Sequence, residues 1–137
     1  MPAGYSGTPL PKKLGIKEEH RVLLCDAPKD FERTLGRLPA DVELKRDLRG
    51  KRGFDVIVLF APNAAALERR LDACIARLNT AGGLWIAWPK KSSGLATDLG
   101  DGPVRKRGLA TGLVDNKVCA VDEVWSGLRF VRRLKDR

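Results

Sequence analysis

Phe54-Asp55-Val56-Ile57-Val58-Leu59-Phe60 is an almost unbroken apolar run, rich in β-branched residues, and it ends at Pro62-Asn63. A strand covered on both faces of a parallel sheet reads this way, whereas a half-exposed strand alternates polar and apolar residues. Asn63 is a good helix N-cap. Leu67, Leu71, Cys74, Ile75 and Leu78 then follow at intervals of four, three, one and three. That spacing makes one apolar stripe of a helix, with Glu68, Arg69, Asp72 and Arg77 mostly on its other side. Gly82-Gly83 is expected to close the helix and open a second buried strand, Leu84-Trp85-Ile86-Ala87-Trp88. Strand, helix and strand form one right-handed βαβ unit, so the two strands are parallel and the fold class is α/β.

Toward the N-terminus, Arg21-Val22-Leu23-Leu24-Cys25 is another short apolar run, ending at Asp26-Ala27-Pro28. Asp30 can cap a helix through Phe31, Leu35 and Leu38 that stops at Pro39, and Val42-Glu43-Leu44 alternates like a short strand. The Arg- and Gly-rich stretch 47–53 reads as a loop. Residues 1–11 are rich in Gly, Pro, Ser and Thr, and Thr8-Pro9-Leu10-Pro11 predicts an extended arm before a short helix over Lys12 to Ile16. Residues 12–137 are then one domain. Toward the C-terminus, a loop over Thr97 to Leu109 gives way to a short helix from Pro103. Lys117-Val118-Cys119-Ala120-Val121 and Leu128-Arg129-Phe130-Val131 are strands of a terminal hairpin joined by residues 122–127. The whole is a three-layer, Rossmann-like arrangement with a mostly parallel sheet.

A chain of 137 residues with 43% hydrophobic content suits one globular domain with a real core. No apolar run is long enough for a membrane span, and the first twenty residues hold no signal-peptide core, so a soluble, cytoplasmic protein is expected. Cys25, Cys74 and Cys119 are odd in number, far apart and set among apolar neighbours. They read as core thiols rather than a disulfide framework or metal site. With His20 the only histidine, no metal cluster built on histidines can form within the chain. The net charge of +9 points to an anionic partner: a small molecule, an acidic protein surface or nucleic acid. Its basic residues are spread along the chain rather than gathered in one block.

Alternating strands and helices with a terminal hairpin resemble the back half of a class I methyltransferase, and Asn79-Thr80-Ala81-Gly82-Gly83-Leu84-Trp85-Ile86 is similar to the turn that enters a late strand there. Four segments together resemble a bacterial family, domain of unknown function 3052. They are Gly4-Tyr5-Ser6-Gly7-Thr8-Pro9-Leu10, Lys12-Lys13-Leu14-Gly15-Ile16, Trp88-Pro89-Lys90-Lys91-Ser92 and the stretch from Leu113 to Leu128. That resemblance spans nearly the whole chain and implies no activity. The methyltransferase resemblance implies a glycine-rich turn after the first strand, where S-adenosylmethionine approaches bare backbone, and an acidic residue ending the second strand to hold the ribose. Here the turn is Asp26-Ala27-Pro28-Lys29-Asp30-Phe31, with no glycine, and Asp47, set between Arg46 and Arg49, is a candidate for the acid or equally a residue of a solvated loop. The cofactor loop reads as degraded, and the sequence names no cofactor.

Trp88-Pro89-Lys90-Lys91-Ser92-Ser93-Gly94 directly follows a buried strand, at the edge where open α/β sheets bind ligands. Lys90, Lys91, Ser92 and Ser93 are therefore candidates to hold a phosphate or carboxylate, without the spacing of a Walker loop. Asp115, Asn116 and Lys117, with Trp125 beyond the next strand, form a second dense polar group. No nucleophile–base pair is legible, since the lone His20 lies far in sequence from the serines. The leading expectation is a non-catalytic binding or regulatory domain. The alternatives are a small enzyme holding a phosphorylated or carboxylated substrate with Lys90, Lys91 and Lys117, or an S-adenosylmethionine-dependent methyltransferase. The oligomeric state is open.

Overall fold

The computed structural model describes residues 7–137. Its elements are α1 (Leu10–Lys13), β1 (Arg21–Cys25), α2 (Phe31–Leu35), β2 (Glu43–Lys45), β3 (Phe54–Phe60), α3 (Ala64–Ala76), β4 (Leu78–Pro89), α4 (Asp101–Leu109), β5 (Val114–Ala120) and β6 (Trp125–Val131). The strands form one sheet in the order β2-β1-β3-β4-β6-β5. The first four are mutually parallel, and β6 alone runs against the direction of the other five. The chain moves outward from β1 to β2, then crosses back to β3, so the strand order reverses between β1 and β3. Such a switch point opens a crevice at the carboxyl ends of the strands.

Two apolar layers sandwich the sheet. On one face Leu23, Ile57, Leu59, Ile86, Leu128 and Phe130 pack under Leu67, Leu71 and Cys74 of α3 and Val104 of α4. On the other, Val22, Leu24, Val56, Val58, Phe60 and Trp85 pack under Leu14, Ile16, Phe31 and Leu35. Residues 56–60 of β3 are at most 1% exposed, which is why their run contains no polar residue. Each such side chain contributes about 1.5–3 kcal/mol on burial. No helix of the described residues is long and apolar enough to cross a membrane.

β3 occupies the predicted residues, and Asn63 caps α3 by accepting the Ala66 N–H at 2.8 Å. Other boundaries move for local reasons. The predicted arm lies outside the described residues as far as position 6, and its last two residues, Leu10 and Pro11, already belong to α1. Gly36, at φ 74°, ends α2 at Leu35 rather than Pro39. α3 stops at Ala76, and β4 begins at Leu78, so Gly82 and Gly83 lie inside a strand rather than closing a helix. Leu78 pairs with Phe54 and Gly83 with Val56, so β4 bulges between them. A Cβ at Gly82 would stand 2.8 Å from the Asp55 carbonyl oxygen, so close backbone approach requires this glycine. α4 starts at Asp101, with Pro103 in its first turn, where a missing N–H costs nothing. β5 and β6 reach further than predicted, and Asp122 closes their turn by accepting the N–H groups of Val124 and Trp125, both at 2.8 Å. Cys119, expected in the core, is only half-buried because β5 is an edge strand.

Candidate functional site

At the switch point the turns after β1 and β3 follow neighbouring parallel strands. Asp26 leaves β1 at φ 57°, the left-handed region that glycine favours, while keeping a side chain. Its carboxylate meets Arg70 of α3 at 3.2 Å. Arg46, just beyond β2, reaches over the same turn and donates to the carbonyls of Ala27 at 3.3 Å, Pro28 at 2.9 Å and Lys29 at 3.1 Å. It also pairs with Glu32, and this partner holds the Glu32 carboxyl down at about 2. Asp47, the expected ribose acid, instead accepts the Arg49 N–H at 3.0 Å in a local turn. Beneath these turns Phe31, Phe60 and Trp125 form an edge-to-face row, with centroids 4.8 and 5.1 Å apart.

Lys90, Lys91, Ser92 and Ser93 follow the carboxyl end of β4, as expected. The Lys90 N–H donates to Val124 O at 2.8 Å, and residues 91–93 form a 3-10 turn. Ser93 is used internally, donating to Lys90 O at 2.6 Å and accepting from Leu95 N at 3.2 Å. Lys91 and Ser92 are exposed. Trp125 is half-buried and pairs with Pro89, so it joins this group at the carboxyl edge.

Asp115, Asn116 and Lys117 do not. Lys117 pairs with Arg129, which is level with Trp85. Trp85 lies five residues before Lys90, about 17 Å along a strand. Lys117 and the Lys90–Lys91 pair thus sit at different ends of the hairpin rather than around one point. Asp115 is held by Arg105 of α4 at 3.0 Å, and Asn116 accepts from Arg129 at 3.3 Å. Asn116 and Lys117 line a cleft of about 520 Å³ together with Lys13, Lys17, His20 and Arg129.

Of the three tryptophans, Trp85 is fully buried and Trp88 nearly so. The Trp85 indole N–H donates to Leu14 O at 3.0 Å, tying α1 to the sheet. Cys25 and Cys74 are both buried beside one another; the bond to Cys25, and then burial, push the Cys74 thiol up from its ordinary value. No group of three or more metal-ligating residues exists among the described residues.

Sequence reasoning missed Arg46, Arg70 and Arg129. Arg129 alone left a signal: in β6 it alternates with Trp125, Gly127 and Val131, positions that face inward, and a charge at such a position is rarely idle.

The chain matches no protein-family model and no curated protein. Solved structures do resemble it. DhpI in its SAH complex superposes with a TM-score of 0.62 at 11% identity, covering 92% of this chain and 83% of that one. A TehB-like SAM-dependent methyltransferase from Corynebacterium glutamicum gives 0.56 at 12% identity, over 96% and 91% of the two chains. A SAM-dependent methyltransferase from Aquifex aeolicus gives 0.55 at 16%, over 87% and 85%. The fold is therefore that of the Rossmann-like, S-adenosylmethionine-dependent methyltransferases. The residues after β1 lack the glycines that let this cofactor approach bare backbone: the turn is Asp26-Ala27-Pro28-Lys29, and Arg46 donates to three of its carbonyls.

Proposed function

We propose that the chain is a non-catalytic binding or regulatory domain on a methyltransferase scaffold. It presents Lys90, Lys91 and Ser92 at the carboxyl edge of its sheet to an anionic ligand or an acidic protein surface. The observation that carries this reading is Arg46, whose guanidinium holds three consecutive carbonyls of the β1–α2 turn and Glu32 besides. Opening that turn for a nucleoside cofactor would break all of these bonds at once. The resemblance to the domain of unknown function 3052 family, which no family model shows, is part of this proposal; two of the segments that suggest it, around Trp88–Ser92 and Trp125, meet at that edge.

S-adenosylmethionine-dependent methyl transfer is the second reading, favoured by the neighbours just described, one of them a SAH complex. Calorimetry with S-adenosylmethionine and its demethylated product separates the two. The proposal expects no saturable heat with either compound. Micromolar binding of both would overturn it and make the Arg46 contacts a closed state of a working cofactor loop.

A further inference from the structure

The cleft on the opposite side of the hairpin has a different composition from the carboxyl edge. Four cationic side chains, Lys13, Lys17, Lys117 and Arg129, line it against one carboxylate, Asp55. Both oxygens of Asp55 are already engaged, one by the Arg21 N–H at 2.8 Å and one by the Asn79 amide at 3.0 Å. Lys13 donates to the uncharged Ala120 carbonyl at 2.9 Å. None of the four cations has an ion-pair partner among the described residues.

Arg129 is the unusual member. It is half-buried, and its one side-chain hydrogen bond among the described residues goes to the neutral Asn116 amide. Its guanidinium lies on the bare backbone of β4: a Cβ at Gly83 would stand 2.4 Å from its Nε and 2.6 Å from Nη2. Burial, and then the charge of Arg137, work against its proton. A partly desolvated guanidinium with no carboxylate is costly unless something anionic completes it.

We propose that this cleft is a binding site for a small phosphorylated molecule, whose phosphate or pyrophosphate group is held by Arg129, Lys117, Lys13 and Lys17. A guanidinium fork matches two phosphate oxygens, and the lysines add point charges around it. The excess of three positive charges suits a multiply charged phosphate better than a lone carboxylate. The volume is that of a small-molecule site, and its lining, the segment from Lys13 to His20 with the bulged amino half of β4 and the facing residues of β5 and β6, is a compact half-open cleft rather than a long track for a nucleic-acid strand. This inference does not depend on the reading of the carboxyl edge.

The test is titration of the full chain with pyrophosphate, followed by calorimetry and thermal unfolding. Saturable binding is expected, weakened at least about tenfold in Arg129→Gln and in Lys117→Gln, since each removes a charged hydrogen bond. Lys117 is exposed, so its variant keeps the test valid if Arg129→Gln folds poorly. The double variant Lys90→Gln/Lys91→Gln should bind as the parent does. Absence of saturable binding at millimolar pyrophosphate overturns the proposal, as does unchanged affinity in Lys117→Gln. Loss of binding in the Lys90/Lys91 variant would place the anion at the carboxyl edge instead. Displacement of pyrophosphate by a single-stranded oligonucleotide, with a steep salt dependence, would assign the cleft to nucleic acid and equally overturn it.

Discussion

Arginine in this protein acts first as a collector of backbone carbonyls. Arg77 gathers those of Leu48, Arg49 and Arg52, Arg132 those of Ile75 and Leu78, and Arg46 those of residues 27–29. Arg21 bonds Gly53 O, pairs with Glu43 and, with Arg77, lies within about 5 Å of the Phe54 ring centre. A net charge of +9 is therefore partly an internal scaffold and a poorer pointer to partners than its size suggests. Arg46→Ala tests one such contact. Its partners are exposed, so screening limits the loss to about 1 kcal/mol or less, a fall in Tm of about 2–5 °C. The Glu32 carboxyl titrates at about 2 in the folded chain and near 4.3 when unfolded. A depressed folded pKa stabilises above the unfolded value and is lost as pH falls through the folded one. The difference in Tm between parent and variant should thus be full at pH 6 and shrink between pH about 4 and 2. Denaturation at several pH values checks this, and a difference that grew toward low pH would contradict the pairing.

At the scale of elements, β3 was legible to the residue, whereas the short helices and β4 were legible in place but not in extent. β3 could be read because full burial on both faces excludes polar residues over its whole length. Gly82-Gly83 misled because glycine serves helix ends and close backbone approach alike, and only the sheet register tells which. The carboxyl-edge group around Lys90 followed from its place after a buried strand, whereas the cleft could not be foreseen. It joins residues from α1, β3, β4, β5 and β6 that no local pattern connects. α1 shows the same dependence on distant contacts. Four residues are too few to hold a helix in water, so its position rests on Trp85 N–H to Leu14 O and on Lys13 to Ala120 O. Trp85→Phe leaves the buried Leu14 carbonyl without its donor, at a cost of about 1–3 kcal/mol, besides the volume lost. Limited proteolysis should then cut within residues 10–16 well before the parent is cut there. Gly108→Ala probes the other face: its Cβ would stand 2.1 Å from the Phe130 ring, which is fully buried and cannot yield. Overpacking of about 1–3 kcal/mol exceeds the roughly 1 kcal/mol gained in helix propensity, so the variant should melt lower than the parent.

At the scale of the molecule, the sheet is protected unevenly. β3 and β4 are central and covered on both faces, β1 nearly so, while β2 is three residues long at one edge and β5 lies at the other with its middle exposed. On the cleft side Lys13 donates to Ala120 O and Arg129 to Asn116 of β5, and on its other side Val118 is 60% exposed. Local opening follows burial and pairing, so native-state hydrogen exchange should be slowest at Ile57, Val58 and Ile86 and faster by orders of magnitude at β2 and β5. An edge strand is also a template for another chain, and Lys117 with the bulge at Asp115–Lys117 is the kind of device that discourages such pairing. The two arguments give opposite outcomes for β5. If the edge is free in solution, its outward amides exchange fast at every protein concentration. Protection at Val118 that rises with concentration, without change at Ile57, would mean that a second copy extends the sheet there. Pyrophosphate distinguishes a further case: a ligand in the cleft touches Lys117 and Arg129, so it should slow exchange in β5 and β6 while leaving β2 as it was.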